Sequence, residues 1–212
     1  GKGDPQSLEG TAFLKGLTYG PAQISTAQVK STGTVGDHTV HLLLESGEGK
    51  VTAALRGGYA KAVWKGTLET LRGSDTLGSW SLQHPASLIL SAEKMSLSPA
   101  LITSTRLEAL ELSMDMSLDP VRGALSAEWK RVNLARFAFL TPEWQVRGQT
   151  DGHLRANFRD KNKTEVSSAV GLTGNLARES LAIDVKEAAG KLEWNGSGLT
   201  GVVQADLGRA AL

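Results

Sequence analysis

Leu110-Glu111-Leu112-Ser113-Met114-Asp115-Met116-Ser117-Leu118-Asp119 alternates without a break: every even position is Leu or Met, and every odd one is Glu, Ser or Asp. On a helix, Leu112 and Met116 would stand about 200° around from Leu110 and Met114, which scatters the apolar set. On a strand all five apolar residues share one face. The stretch therefore reads as a strand with one buried and one wet face.

Outward from it, shorter segments repeat the period of two: Val40, Leu42, Leu44; Val51, Ala53, Leu55; Ala62, Trp64, Leu68; Leu88, Leu90, Ala92; Leu125, Ala127, Trp129; Leu154, Ala156, Phe158; and Leu181, Ile183, Val185. Turn-forming sets punctuate them at Gly47-Glu48-Gly49, Gly57-Gly58, Asp119-Pro120, Asp160-Lys161-Asn162 and Asn195-Gly196. Short strands joined by tight turns predict an antiparallel meander. Gly152, Gly171 and Gly190 recur at equal spacing, each closely followed by Leu, which two strands per repeat would explain; with 24 glycines in 212 residues, chance explains it as well. The helix-like place is Arg131 to Leu140, where Leu134, Phe137 and Leu140 stand three apart before Thr141-Pro142. It predicts one short helix or turn, stopped ahead of the proline. The expected organisation is a first β-groove segment over 1–131, a break over 132–142 and a second segment over 143–212 continuous with the first.

The chain is 40% hydrophobic and 21% charged, which is too apolar for a disordered segment. Lys plus Arg (23) nearly balance Asp plus Glu (22), and the net charge of +1 supplies no global field for nucleic acid. Aromatics are scarce at 5%, so few large rings are present to fill a thick interior. Cysteine is absent, which excludes disulfides, thiolate catalysis and Cys-based zinc sites. No run approaches the roughly 18 apolar residues of a membrane span, and the N-terminus has no signal-peptide form. Lacking an initiator Met, the chain is expected to be a fragment whose targeting segment lies outside it.

His38 and His41, with Asp37 and Glu45 nearby, are candidate metal ligands, but residues i and i+3 of a strand point to opposite faces, which favours a surface or turn-anchoring role. Glu111, Asp115 and Asp119 share a face with serines and read as a solvated exterior rather than a glycosidase pair. No nucleophile elbow, Walker loop, zincin motif or dinucleotide fingerprint is present. The expectation is a protein that is not an enzyme and needs no cofactor or metal. The five tryptophans, Trp64, Trp80, Trp129, Trp144 and Trp194, admit two readings: core residues, or amphipathic rings at the lips of an apolar cleft.

Three stretches carry a resemblance. They are Gly36 to Leu42; Trp64-Lys65-Gly66-Thr67-Leu68 leading to Trp80-Ser81-Leu82-Gln83-His84-Pro85-Ala86-Ser87-Leu88; and Val132 to Phe137 running through Pro142 to Val146-Arg147-Gly148 and Gly152-His153-Leu154. In order and texture they are similar to the middle region of the TamB family, the AsmA-like subunits of the translocation and assembly module. The resemblance implies an all-β, elongated and curved antiparallel sheet, a β-taco or open groove with a hydrophobic concave face. It implies a periplasmic segment of an inner-membrane-anchored Gram-negative protein that carries phospholipid, or supports outer-membrane protein assembly, between the two membranes. Phospholipid acyl chains are the expected partners, together with an Omp85-type outer-membrane protein, TamA or BamA, reached through other parts of the parent protein.

The residues expected to line such a groove are Leu42, Leu44, Trp64, Leu88 and Leu90; Leu110, Leu112, Met114, Met116 and Leu118; Leu125 and Trp129; and Leu154, Phe158, Leu181 and Ile183. Each acyl methylene taken out of water is worth ~0.8 kcal/mol, so such a lining holds lipid chains without specific chemistry. Two other occupancies of the same residues stay open: chaperone-like binding of nascent outer-membrane strands by strand addition, and a closed β-sandwich scaffold with a sealed core.

Overall fold

A computed structural model of the chain describes residues 7–19, 22–136, 143–159, 164–178, 181–195 and 197–211. It is all-β: fourteen strands, with antiparallel pairing throughout the registers that follow. By its contacts the chain divides into two units, Gly1–Arg106 with Ser113–Asp119, and Leu107–Leu112 with Pro120–Leu212. This partition differs from the segments expected at 1–131 and 143–212.

The first unit holds β1 (Ser7–Tyr19), β2 (Ala22–Thr34), β3 (His38–Ser46), β4 (Gly49–Ala60), β5 (Val63–Asp75), β6 (Gly78–Leu82), β7 (Ala86–Ser91) and β8 (Lys94–Ser104). Neighbours in sequence are neighbours in space from β1 to β6; β5 then pairs with both β6 and β7, and β8 closes against the same two. Strand β9 (Ala109–Leu118) is the alternating stretch, and its second half belongs to this unit. The second unit takes the first half of β9 and runs through β10 (Val121–Asn133), β11 (Gln145–Phe158), β12 (Thr164–Arg178), β13 (Leu181–Trp194) and β14 (Leu199–Ala211), each paired with the next.

Two of the expected turns fall where the sequence puts them, while Asp160-Lys161-Asn162 and Gly196 lie outside the described residues. Gly47-Glu48 joins β3 to β4 and Asp119-Pro120 joins β9 to β10. Gly57-Gly58 is different: both lie inside β4, opposite Gly66 and Lys65, and the chain reverses at Lys61-Ala62 instead. The equally spaced glycines do not mark a two-strand repeat, because each interval contains one strand and its turn. Gly152 and Gly190 both oppose Val170, from either side, while Gly171 is paired with Asp151 and Ala189 on the other face.

Within the helix-like segment Leu134, Ala135 and Arg136 form a 3-10 turn, and 137–142 lies outside the described residues. The strands flanking it pair directly, so it interrupts no sheet. Glu108 fixes this turn. Its carboxylate, 6% exposed, accepts from the Asn133 backbone N–H (2.8 Å) and from Arg136 Nε (2.9 Å) and Nη2 (2.6 Å), a bidentate charge-assisted pair.

Candidate functional site

Residues opposed in a ladder share a face, so register converts the sequence into two surfaces. In the first unit Val29, Leu42, Ala53 and Leu71 form one row across β2 to β5, and Ala27, Leu44, Val51, Gly73 and Trp80 form the next. Gly57, Gly66, Leu88 and Leu97 make a third, and Tyr59, Trp64, Leu90 and Met95 a fourth. These rows stand on one apolar face, which brings together Leu42, Leu44, Trp64, Leu88 and Leu90.

The second unit repeats the arrangement. Leu125, Ala156, Val166, Trp194 and Leu199 form one row, Ala127, Leu154, Ser168, Leu192 and Gly201 the next, and Trp129, Gly152, Val170, Gly190 and Val203 a third. Phe158 extends this face between Gly123 and Thr164, and Ile183 stands between Leu176 and Ala210. Leu181 opens β13, and its side chain lies outside the described ones. Along β9, Met116 is buried, Leu110, Leu112, Met114 and Leu118 are half-buried, and Glu111 and Asp115 are exposed.

Several members of this face were not marked in the sequence. Val166, Val170, Leu172 and Leu176 of β12 and Leu199, Val203 and Leu207 of β14 also keep a period of two; the glycines and serines among them dilute it.

Tryptophans pave the apolar face of each unit. Ring atoms of Trp80 occupy the space where a Cβ on its opposed residue Gly73 would go, and Trp129 does the same over Gly152. Trp64 lies over Gly57 and Gly66 and reaches His38, donating from Nε1 to His38 Nε2 at 2.9 Å. Trp129 Nε1 donates to Thr150 Oγ1 (3.3 Å), whose own hydroxyl donates to the Gly171 carbonyl (2.8 Å). The rings of Trp64, Trp80 and Trp129 thus lie over glycines of neighbouring strands, with the N–H groups of Trp64 and Trp129 hydrogen-bonded. The Arg178 guanidinium stands over Trp144, 5.8 Å from the ring centre.

Large side chains on the apolar face of each unit stay partly exposed. Among the described residues no large side chain is fully buried, and Leu44 is 39% exposed, Leu90 37%, Val170 37% and Leu192 49%. The chain exposes 14156 Å² for its 22.4 kDa, whereas even two separate compact globules of half that mass would together expose about 11,000 Å².

The opposite face is polar. In the first unit it carries exposed ion pairs such as Arg56–Asp37 (3.2 Å) and Lys94–Asp115 (2.9 Å), and the hydrogen bond and charge of each cation hold the Asp37 and Asp115 carboxyls below their ordinary range. Depressions of about 520 and 590 Å³ open on this face, lined by Lys50, Thr52 and Arg72 in common. His38 and His41 fall on opposite faces: His38 opposes Gly33 and Gly57, His41 opposes Lys30 and Ala54. His38 is a turn anchor, its Nδ1 lying 3.0 Å from the Thr34 carbonyl. No group of His, Asp and Glu able to hold a metal occurs among the described residues. No helix there is long and apolar enough to cross a membrane, which says nothing of β-barrel spans.

A family model described as TamB, N-terminal domain, matches residues 8–207. That description differs from the middle region to which the sequence resemblance pointed. No curated protein and no solved structure matches the chain.

Proposed function

The chain belongs to the TamB N-terminal domain family, and from that premise we propose that it carries phospholipid acyl chains along its apolar face, as a periplasmic segment of a protein linking the inner and outer membranes of a Gram-negative bacterium. The family's role in lipid or protein transport and its work with TamA in assembly support the setting. One observation carries the lipid reading: each unit keeps an apolar face whose large side chains remain one-third to one-half exposed at Leu44, Leu90 and Leu192. An uncovered apolar face of this extent is stable in water only against a greasy occupant or a second surface. Large apolar side chains left this exposed speak against the sealed sandwich.

The test places a photo-reactive amino acid at Leu44, Leu90 or Leu192 in the parent protein, with Ser87 and Gln149 on the polar faces as controls. Lipid adducts should form from the apolar positions and not from the controls. Adducts to an outer-membrane β-strand, with none to lipid, would transfer the face to nascent-strand binding. Equal lipid adducts from both faces would remove the assignment.

A further inference from the structure

We propose that the polar face of the first unit binds oxyanions of the phosphate class in a trough centred on Arg72. Register lines Gln28, Leu43, Thr52, Arg72, Ser81 and Thr103 into one row across six strands, from β2 to β8. Lys50 and Ser74 stand beside this row on one side, and Lys30, His41 and Thr70 on the other. The two depressions, about 520 and 590 Å³, share Lys50, Thr52 and Arg72, so they form one continuous trough.

Charge and shape agree. Lys30, Lys50 and Arg72 are three cations; one carboxylate, Glu45, pairs with Lys50 at 3.0 Å, which leaves the trough an excess of two positive charges where the whole chain has a net +1. Among the described residues neither Lys30 nor Arg72 has an ion-pair partner. The Arg72 guanidinium presents five donors in a planar fork that matches two oxygens of one phosphate. Around it Thr52, Ser81 and Thr103 offer hydroxyl donors on short side chains, leaving room for the phosphate and an organic substituent. The acidic groups Glu45, Glu48 and Asp75 gather in a neighbouring depression around Lys50, at the trough's end, so the positive field is strongest toward Arg72 and Lys30.

The same chemistry suits a free phosphate compound or a lipid headgroup, and two assays separate them: titration of this chain with inorganic phosphate followed by NMR, and co-sedimentation with phosphatidylcholine vesicles with and without phosphatidic acid. Saturable phosphate binding alone identifies a soluble source, and dependence on phosphatidic acid alone identifies a headgroup; either supports the site. Arg72→Gln is expected to weaken binding about tenfold or more, the worth of a lost charge-assisted fork, while Arg147→Gln, in the second unit, leaves it unchanged. Ser81→Leu keeps every charge but fills the trough, and should weaken binding as well. Absence of saturable binding in both assays, an equal loss in Arg147→Gln, or full binding by Ser81→Leu would overturn the proposal. Because this site lies on the face opposite the acyl-chain surface, its failure leaves the lipid reading standing.

Discussion

At the scale of single residues, His38 shows how a side chain with no catalytic task is fixed by its neighbours. An indole N–H only donates, so the 2.9 Å contact from Trp64 makes His38 Nε2 an acceptor, and the proton must sit on Nδ1, bonded to the Thr34 carbonyl. Imidazole nitrogen shifts should therefore report the Nδ1-protonated tautomer, and an Nε2-protonated ring would contradict the network. Trp64→Phe is expected to cost about 1 to 3 kcal/mol by leaving buried Nε2 unpaired, while the Thr34 carbonyl keeps the proton on Nδ1. The strand period alone places His38 and His41 on opposite faces. It does not reveal the partner, because Trp64 lies 26 residues away and reaches the ring only across Gly57 and Gly66.

At the scale of elements, the β4–β5 hairpin carries a local conflict. Ala60 opposes Val63, so the loop is Lys61-Ala62, with φ of 50° and 62°. Two-residue hairpin loops of this hand favour Asn-Gly, since left-handed backbone costs a residue with a Cβ about 1–2 kcal/mol. Ala62→Gly should raise stability by about 1 kcal/mol, read as a higher urea midpoint at constant slope; a lowered midpoint would refute the strain. The Gly57-Gly58 pair misleads in sequence because glycine marks turns and also sites of close approach, and here Gly57 makes room for Trp64.

The 3-10 turn at Leu134–Arg136 has a remote determinant too. Glu108→Ala takes the bidentate carboxylate from Arg136, only 17% exposed, and should cost about 3–5 kcal/mol, whereas a paired Glu108→Leu and Arg136→Met exchange should cost much less. Equal losses in chemical denaturation would show that the pair has no special role. The spacing of Leu134, Phe137 and Leu140 predicted one short helix or turn, but not that a buried carboxylate 25 residues upstream would hold Asn133 and Arg136 in place.

At the scale of the molecule, the surface of 14156 Å² and the absence of any fully buried large side chain among the described residues set the behaviour in water. An apolar dye should bind the folded chain, and added phospholipid should displace it; a folded chain that leaves the dye dark would support a sealed core instead. The sequence by itself determined the all-β antiparallel class and, within each clearly alternating segment, which residues share a face, because strand geometry converts a period of two into two surfaces wherever the chain is extended. It also showed that no local catalytic motif is present. Only the tertiary structure decided that large side chains on each unit's apolar face stay partly exposed, that indoles lie over glycines of neighbouring strands, and that Arg72 stands among hydroxyls from distant strands. Those features depend on register between segments far apart in the chain, and register follows from the ladder pairing and its bulges rather than from the order of residues within any one strand.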